Sequence, residues 1–201
     1  MSRHRSRPTE RVCCLHQIVL INGPPGAGKT AVAVALCERF DRMLHVEVDV
    51  LRRWVLAGYR HPWVDDEQAH EQRLLATRNA SAIARECVAL RYACLLDDTV
   101  LSDDLAAYRS ALFQVGAPVH MVTLLPSLDV SLSRVDGRSA VEPERVRTLH
   151  AEFEREAGVG LLLGVVLDSS GDPDEYYTAD RVQDAVSGGE TLVFTDGLPA
   201  V

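Results

Sequence analysis

Gly23-Pro24-Pro25-Gly26-Ala27-Gly28-Lys29-Thr30 is a complete G-x-x-x-x-G-K-[ST] match, set between the apolar run Ile18-Val19-Leu20-Ile21-Asn22 and an alanine- and valine-rich stretch that reaches Phe40. The run reads as a buried strand. The stretch reads as a helix from about Lys29, apolar nearly all round, as expected for one packed inside an α/β core. Glycines in the loop permit backbone angles that turn successive N–H groups inward at phosphate oxygens. The helix start adds its positive end. In this frame Gly23, Pro24, Pro25, Gly26, Ala27 and Gly28 cradle the phosphates, Lys29 bridges the β- and γ-phosphates, and Thr30 ligates Mg²⁺. The pattern arises by chance in on the order of one chain in a hundred at ordinary glycine content, and the flanking strand and helix make chance rarer still. The reading is ATP with magnesium.

Working outward, short apolar runs alternate with helical stretches. His45 to Val48 reads as a second strand ending at Asp49, and Ala93 to Leu96 as a third, closed by Asp97 and Asp98. Val119 to Leu125 and Gly164 to Leu167 follow as a fourth and a fifth, with Thr191 to Phe194 as an edge strand. Between them lies a long helix from about Asp66 to Tyr92, with Ala76, Ala80, Ile83, Cys87 and Leu90 on one face. Ser102 is expected to cap a helix to about Val115, and Ser127 the helix after strand four. A charged helix near Pro143 to Ala157 and a closing helix from Tyr176 to Ser187 complete the series. Strands alternating with helices imply a three-layer α/β sandwich: a parallel sheet of about five strands with helices on both faces. Ligands in such sheets bind beyond the carboxyl ends of the strands.

The chain has 201 residues, which fits one domain over residues 17–201, with residues 1–16 expected to be a disordered lead-in. No apolar run approaches the roughly 20 residues of a membrane span. The formal charge is −8, and Arg3, Arg5, Arg7 and Arg11 at the start leave the body more acidic still. Such a body repels phosphate backbones, so nucleic acid and membrane are not the expected partners. Cys13, Cys14, Cys37, Cys87 and Cys94 form no C-x-x-C pair and read as small apolar residues in a reducing, cytoplasmic setting. The histidines show no metal-ligand spacing, and His150 reads as a surface or packing residue. Monomer and homodimer are both open.

The strand ends carry the remaining chemistry. Asp97 directly ends an apolar strand and is the first choice as an Mg²⁺ ligand, while Asp98 is read as facing substrate. Asp49 is delivered to the ligand edge three residues before Arg52. A carboxylate there takes or orients the proton of an attacking hydroxyl, and Arg52 or Arg53 holds an anionic or polar group of the substrate. After strand four, Arg134 and Arg138 are placed to counter charge developing on the transferred phosphoryl group. Trp54, Tyr59, His61 and Trp63 cluster in the connection after Asp49, where they pack or stack on an acceptor.

The order of these blocks resembles the P-loop kinases. The blocks are G-x-x-x-x-G-K-T, V-D-x-L-R, a strand ending D-D, L-L-P-S followed by Arg134 and Arg138, and a strand ending D-S-S-G. The closest resemblance is to the chloramphenicol phosphotransferase-like and zeta-toxin-like branch; gluconate kinase and adenylylsulfate kinase share the order. The resemblance implies a sheet in the order 2-3-1-4-5, Asp49 near the acceptor hydroxyl, and a lid at about 127–145 carrying Arg134 and Arg138 over ATP. It also implies Ser169, in the loop Asp168-Ser169-Ser170-Gly171, beside the adenine. The acceptor region would span about 50–92. The expected activity is transfer of the γ-phosphate to a hydroxyl of a small molecule: an antibiotic, a nucleoside-like natural product or a sugar. A nucleotide-sugar kinase of the toxin type and a non-transferring nucleotide switch are the alternatives.

Overall fold

The computed structural model describes residues 16–135, 142–195 and 198–199. The chain begins with β1 (Ile18–Asn22), the phosphate loop and α1 (Lys29–Cys37). Next come β2 (Met43–Glu47), a one-turn α2 (Val48–Arg52) and the long α3 (Glu67–Ala89), whose first turn is capped by the Asp66 carboxylate accepting from the Ala69 N–H. Then follow β3 (Ala93–Asp97), α4 (Ser102–Ala111), β4 (Val119–Leu124), α5 (Leu128–Val135) and α6 (Pro143–Gly158). The described chain closes with β5 (Val165–Leu167), α7 (Glu175–Gly188), β6 (Leu192–Thr195) and β7 (Leu198–Pro199).

Five strands pair in parallel, as the sequence pattern anticipates, and in the order β2-β3-β1-β4-β5 that the resemblance implies. Every residue of β1, β3 and β4 is buried, because alternate side chains enter two separate cores. Ile18 and Leu20 of β1, Cys94 and Leu96 of β3, and Val119 and Met121 of β4 face α3 and α4. Val19, Ile21, Leu95, Val122 and Leu124 face α1 and α7. That two-sided burial is why these strands read as continuous apolar runs. On the outer edge of β4, β5 pairs with residues 122–124, and β6 runs antiparallel against Val119 and His120.

Several boundaries differ from expectation. α1 stops at Cys37, and Ala31 and Val34 face solvent while Val32, Ala33, Ala35 and Leu36 are buried; a helix covering one sheet face needs only one apolar stripe. α3 ends before Leu90, which is exposed, and Ala84 and Val88 complete the buried face. Ser102 does not cap α4. Leu101 holds that place without a side-chain bond, and Ser102 instead donates from its N–H (2.9 Å) and hydroxyl (2.8 Å) to the buried carboxylate of Glu156 on α6. Ser127 does reach its expected partner, the Val130 N–H, at a long 3.5 Å. The lead-in over residues 1–15 lies outside the described residues. Cys87 and Cys94 are buried thiols, and burial pushes both up from the ordinary thiol range.

Candidate active site

The phosphate loop is shaped by where its glycines lie. Gly26 has φ +82 and a side chain there would sit 2.2 Å from the Ser131 carbonyl oxygen; at Gly23, φ +146, it would sit 2.3 Å from that of Leu124. Only glycine allows α5 and β4 to approach the loop so closely. Lys29 folds over the loop, its Nζ donating to the carbonyl oxygens of Gly23 (2.9 Å) and Pro24 (3.3 Å) and to the Thr99 hydroxyl (3.3 Å). Its ammonium thus lies at the carboxyl edge of β1 and β3, where a nucleotide's terminal phosphates are bound in a loop of this kind.

At that edge the Thr30 hydroxyl donates to Asp97 Oδ2 at 2.5 Å. Asp97 is 5% exposed, and His45 Nε2 lies 3.6 Å from the same oxygen. An alcohol and a carboxylate in contact form an all-oxygen donor pair that suits a hard divalent cation, which in phosphoryl-transfer sites takes few protein ligands beside phosphates and water. Thr30 and Asp97 would hold Mg²⁺ here. Among the described residues no group of three or more His, Cys, Asp or Glu forms a self-sufficient metal site.

The next residue departs from its expected place. Asp98 is 2% exposed, and both its oxygens are taken. Oδ1 accepts from Arg52 Nη2 (2.7 Å) and the Thr99 N–H (2.7 Å), while Oδ2 accepts from the Tyr108 hydroxyl (2.5 Å). Asp98 therefore faces protein, and its role as a substrate contact is corrected on that ground. Asp49 also moves. β2 ends at Glu47, so Asp49 lies in the first turn of α2, where the next turn brings Arg52 Nη1 to its Oδ1 at 2.5 Å. The result is a chain Tyr108–Asp98–Arg52–Asp49 that runs from a buried phenol to a carboxylate with 62% of its side chain exposed. Burial works against the Arg52 charge, but Asp98 and then Asp49 more than offset it, and the guanidinium is held above its ordinary pKa. Arg53, by contrast, is exposed and lines no part of the neighbouring cavity.

That cavity, of about 350 Å³, opens beside Pro25, Asp49, Arg52 and Thr99. Its far walls come from the 62–65 segment, the start of α4, and the Arg145, Leu149, Glu152 face of α6. Trp63 stacks on His61 (4.4 Å between centroids), which meets Tyr59 edge-on, and Arg145 lies over the Trp63 ring at 5.9 Å. Trp54 is exposed outside this ladder. The size falls within the roughly 300–1,000 Å³ of small-ligand sites.

Above the loop, Arg134 on α5 donates to the Ala27 carbonyl oxygen at 3.1 Å, next to Gly28. Arg138 lies outside the described residues. Ser169 is buried, and its hydroxyl has no hydrogen-bond partner among the described residues. Its loop is tied to α7 by Arg181, which donates to the Asp168 carbonyl oxygen and to Asp172, both at 2.8 Å. His150 is buried and bonds through Nε2 to the Pro126 carbonyl at 2.7 Å, a packing role as expected.

Sequence reasoning missed Tyr108, Arg73, Arg145 and Glu152. The i, i+4, i+7 spacing of Arg145, Leu149 and Glu152 was a visible signal for a shared helix face. Nothing local says which face of a charged helix meets the cavity.

The AAA domain family matches residues 18–157 of the chain. Among solved structures, shikimate kinase from Acinetobacter baumannii superimposes with a TM-score of 0.58 at 18% identity, over 87% of this chain and 95% of its own. The tunicamycin resistance protein of Deinococcus radiodurans gives 0.58 at 26% identity, over 90% and 99%. The adenylylsulfate (APS) kinase of Mycobacterium tuberculosis gives 0.58 at 16%, over 86% and 98%. The likeness establishes a P-loop kinase-type fold. No functionally curated protein matches the sequence significantly.

Proposed function

The chain belongs to the AAA domain family, and on that premise we propose that it is a cytoplasmic, ATP- and Mg²⁺-dependent phosphotransferase acting on a hydroxyl of a small molecule. The observation that carries this reading is the placement of Asp49: an exposed carboxylate on the wall shared by the phosphate loop and a ligand-sized cavity. A nucleotide switch has no use for that juxtaposition. An acceptor bound in the cavity presents its hydroxyl to Asp49. As the hydroxyl oxygen bonds to the γ-phosphorus, its proton passes to the Asp49 carboxylate and the bond to the β–γ bridging oxygen breaks, releasing ADP. Arg52, fixed by Asp98, orients that carboxylate, while Lys29 and Arg134 stand over the loop to counter charge spreading on the transferred group. Mg²⁺ held by Thr30 and Asp97 would supply the remaining charge compensation.

The relative in Deinococcus radiodurans is named for resistance to an antibiotic. That supports placing this chain in the antibiotic-modifying branch of small P-loop kinases, with antibiotics, nucleoside-like natural products and sugars as the acceptors to try. The test is an ATP-to-ADP turnover screen against such a panel, with mass spectrometry for the gain of one phosphate. Asp49→Asn should lower kcat by about 10²–10⁴ with little change in ATP affinity. Lys29→Ala retaining full kcat would refute the phosphate-loop assignment. A rise in acceptor KM alone for Asp49→Asn would make Asp49 a binding residue and not a base.

A further inference from the structure

His45 stands on β2, and the strand register sets it opposite Leu95 of β3, one row back from Asp97. Residues two apart on a strand share a face, so His45, Leu95 and Asp97 all point to the side covered by α1, the helix that carries Thr30. Deepening the phosphotransfer reading, on which it rests, we infer that His45 is a positioning residue for the magnesium site. Its Nε2–H holds the Asp97 carboxylate from β2, as the Thr30 hydroxyl holds it from α1.

Both neighbours meet the same oxygen: Thr30 Oγ1 lies 2.5 Å and His45 Nε2 lies 3.6 Å from Asp97 Oδ2. His45 Nε2 is shut off from solvent and has no hydrogen-bond partner among the described residues. An ionised carboxylate only accepts hydrogen bonds. A bare nitrogen lone pair aimed at it would be repelled, so Nε2 is the ring nitrogen that carries a proton. A buried N–H left unpaired costs about 1–3 kcal/mol, and a shift of about half an ångström brings this one within bonding range of Oδ2.

Packing alone gives no reason for an imidazole here. The surrounding face is built from Val19, Ile21, Val32, Leu36 and Leu95, with Met43 of the same strand against it, and an apolar side chain would fill the place with no nitrogen to satisfy. A carboxylate fixed from two elements is already ordered before a cation arrives, so less is lost on binding it. His45 lines no part of the acceptor cavity. Its loss should therefore act on metal-dependent nucleotide binding and not on the acceptor.

The experiment measures the dissociation constant of a non-hydrolysable ATP analogue by calorimetry, once in excess Mg²⁺ and once in EDTA. The ratio of the two values reports what the metal adds to binding. His45→Ala should lower that ratio by about ten-fold, the low end of what an outer-shell partner contributes, with the metal-free value little changed. His45→Gln, whose amide nitrogen can stand in for Nε2–H, should recover most of the loss. His45→Asn, too short to reach, should not, and it replaces the alanine variant if that one fails to fold. In an Asp97→Asn background His45→Ala should change nothing further. An unchanged ratio, an equal loss with and without Mg²⁺, a Gln variant no better than Ala or Asn, or additive effects with Asp97→Asn each overturn the inference. A wild-type ratio near one overturns it together with the magnesium assignment. The measurement needs no acceptor, so the expected pattern with no phosphate transferred to any compound keeps the inference and overturns the kinase reading.

Discussion

Replacing Tyr108 by Phe removes one oxygen from the interior, and the structure says what that oxygen holds. Tyr108 is 1% exposed and is the sole hydrogen-bond donor to Asp98 Oδ2 among the described residues, at 2.5 Å; Arg52 and the Thr99 N–H both bond to Oδ1. The substitution therefore leaves half of a buried carboxylate without a partner, and it strips the Thr77 hydroxyl of its contact with the phenol as well. A hydrogen bond to a charged group contributes about 1.5–3 kcal/mol, and a buried acceptor left open costs towards the upper end of that range. The expected loss is about 3 kcal/mol, or roughly 6–12 °C in Tm for a chain of this length. Burial, and then the adjoining Asp98, hold the Tyr108 phenol well above its ordinary pKa, so the loss should be constant between pH 6 and 9. Urea unfolding of the wild type, Tyr108→Phe, Asp98→Asn and the double variant gives both the loss and its coupling to Asp98. A loss below about 1 kcal/mol, or a coupling indistinguishable from zero, would refute the reasoning. With Asp98 less well held, Arg52 and through it Asp49 lose alignment, so kcat should fall alongside stability.

Three further outcomes follow from the same structure. Gly26→Ala must push its methyl group into the Ser131 carbonyl at a positive φ; ATP affinity should drop by about ten-fold or more, read by equilibrium titration, as α5 lifts from the loop. Glu156→Ala removes the acceptor of two hydrogen bonds from Ser102 and should cost about 2–4 kcal/mol in chemical unfolding; a variant as stable as wild type would show that this link between α6 and α4 contributes nothing. His120 is buried against the Thr191 hydroxyl at 2.9 Å, and burial lowers its pKa below the ordinary histidine value. The neutral ring is therefore the folded form. Its contribution is fully present above about pH 6.5 and is lost as pH falls through the lower folded-state pKa. Tm profiles from pH 8 to 5 should steepen on the acid side for the wild type and flatten for His120→Gln, and parallel profiles would count against this.

The parallel strands and the loop were legible in the chain because each has a local cause, and the order of the strands came from the resemblance to P-loop kinases. Strands buried on both faces must be continuously apolar, and a loop that wraps phosphate must carry glycine where β4 and α5 press on it. Legibility ended where the cause is remote. Asp49 was placed at a strand end because His45 to Val48 reads as a short strand, yet the chain turns helical at Val48, and that turn is what brings Arg52 round to Asp49. Ser102 has the chemistry of a helix cap, but Glu156, 54 residues later, takes its hydroxyl. Asp97 and Asp98 stand side by side at the end of one apolar run, and in the sequence only position separates them. Only the packing of Tyr108 and Arg52 turns one of them inward.

The shared outer edge of β4 has a consequence for how copies of this chain meet one another. An open strand edge is a template on which another chain can extend the sheet. On this side β5 takes the upper half of the edge and antiparallel β6 the lower half, so β4 offers no run of free backbone groups. The opposite margin is β2, five residues long, with Glu47 exposed at its end and paired inward to β3. β4 therefore cannot serve as the template on which a second chain extends the sheet, and the margin on its side is carried by β5 and, through β6, by β7.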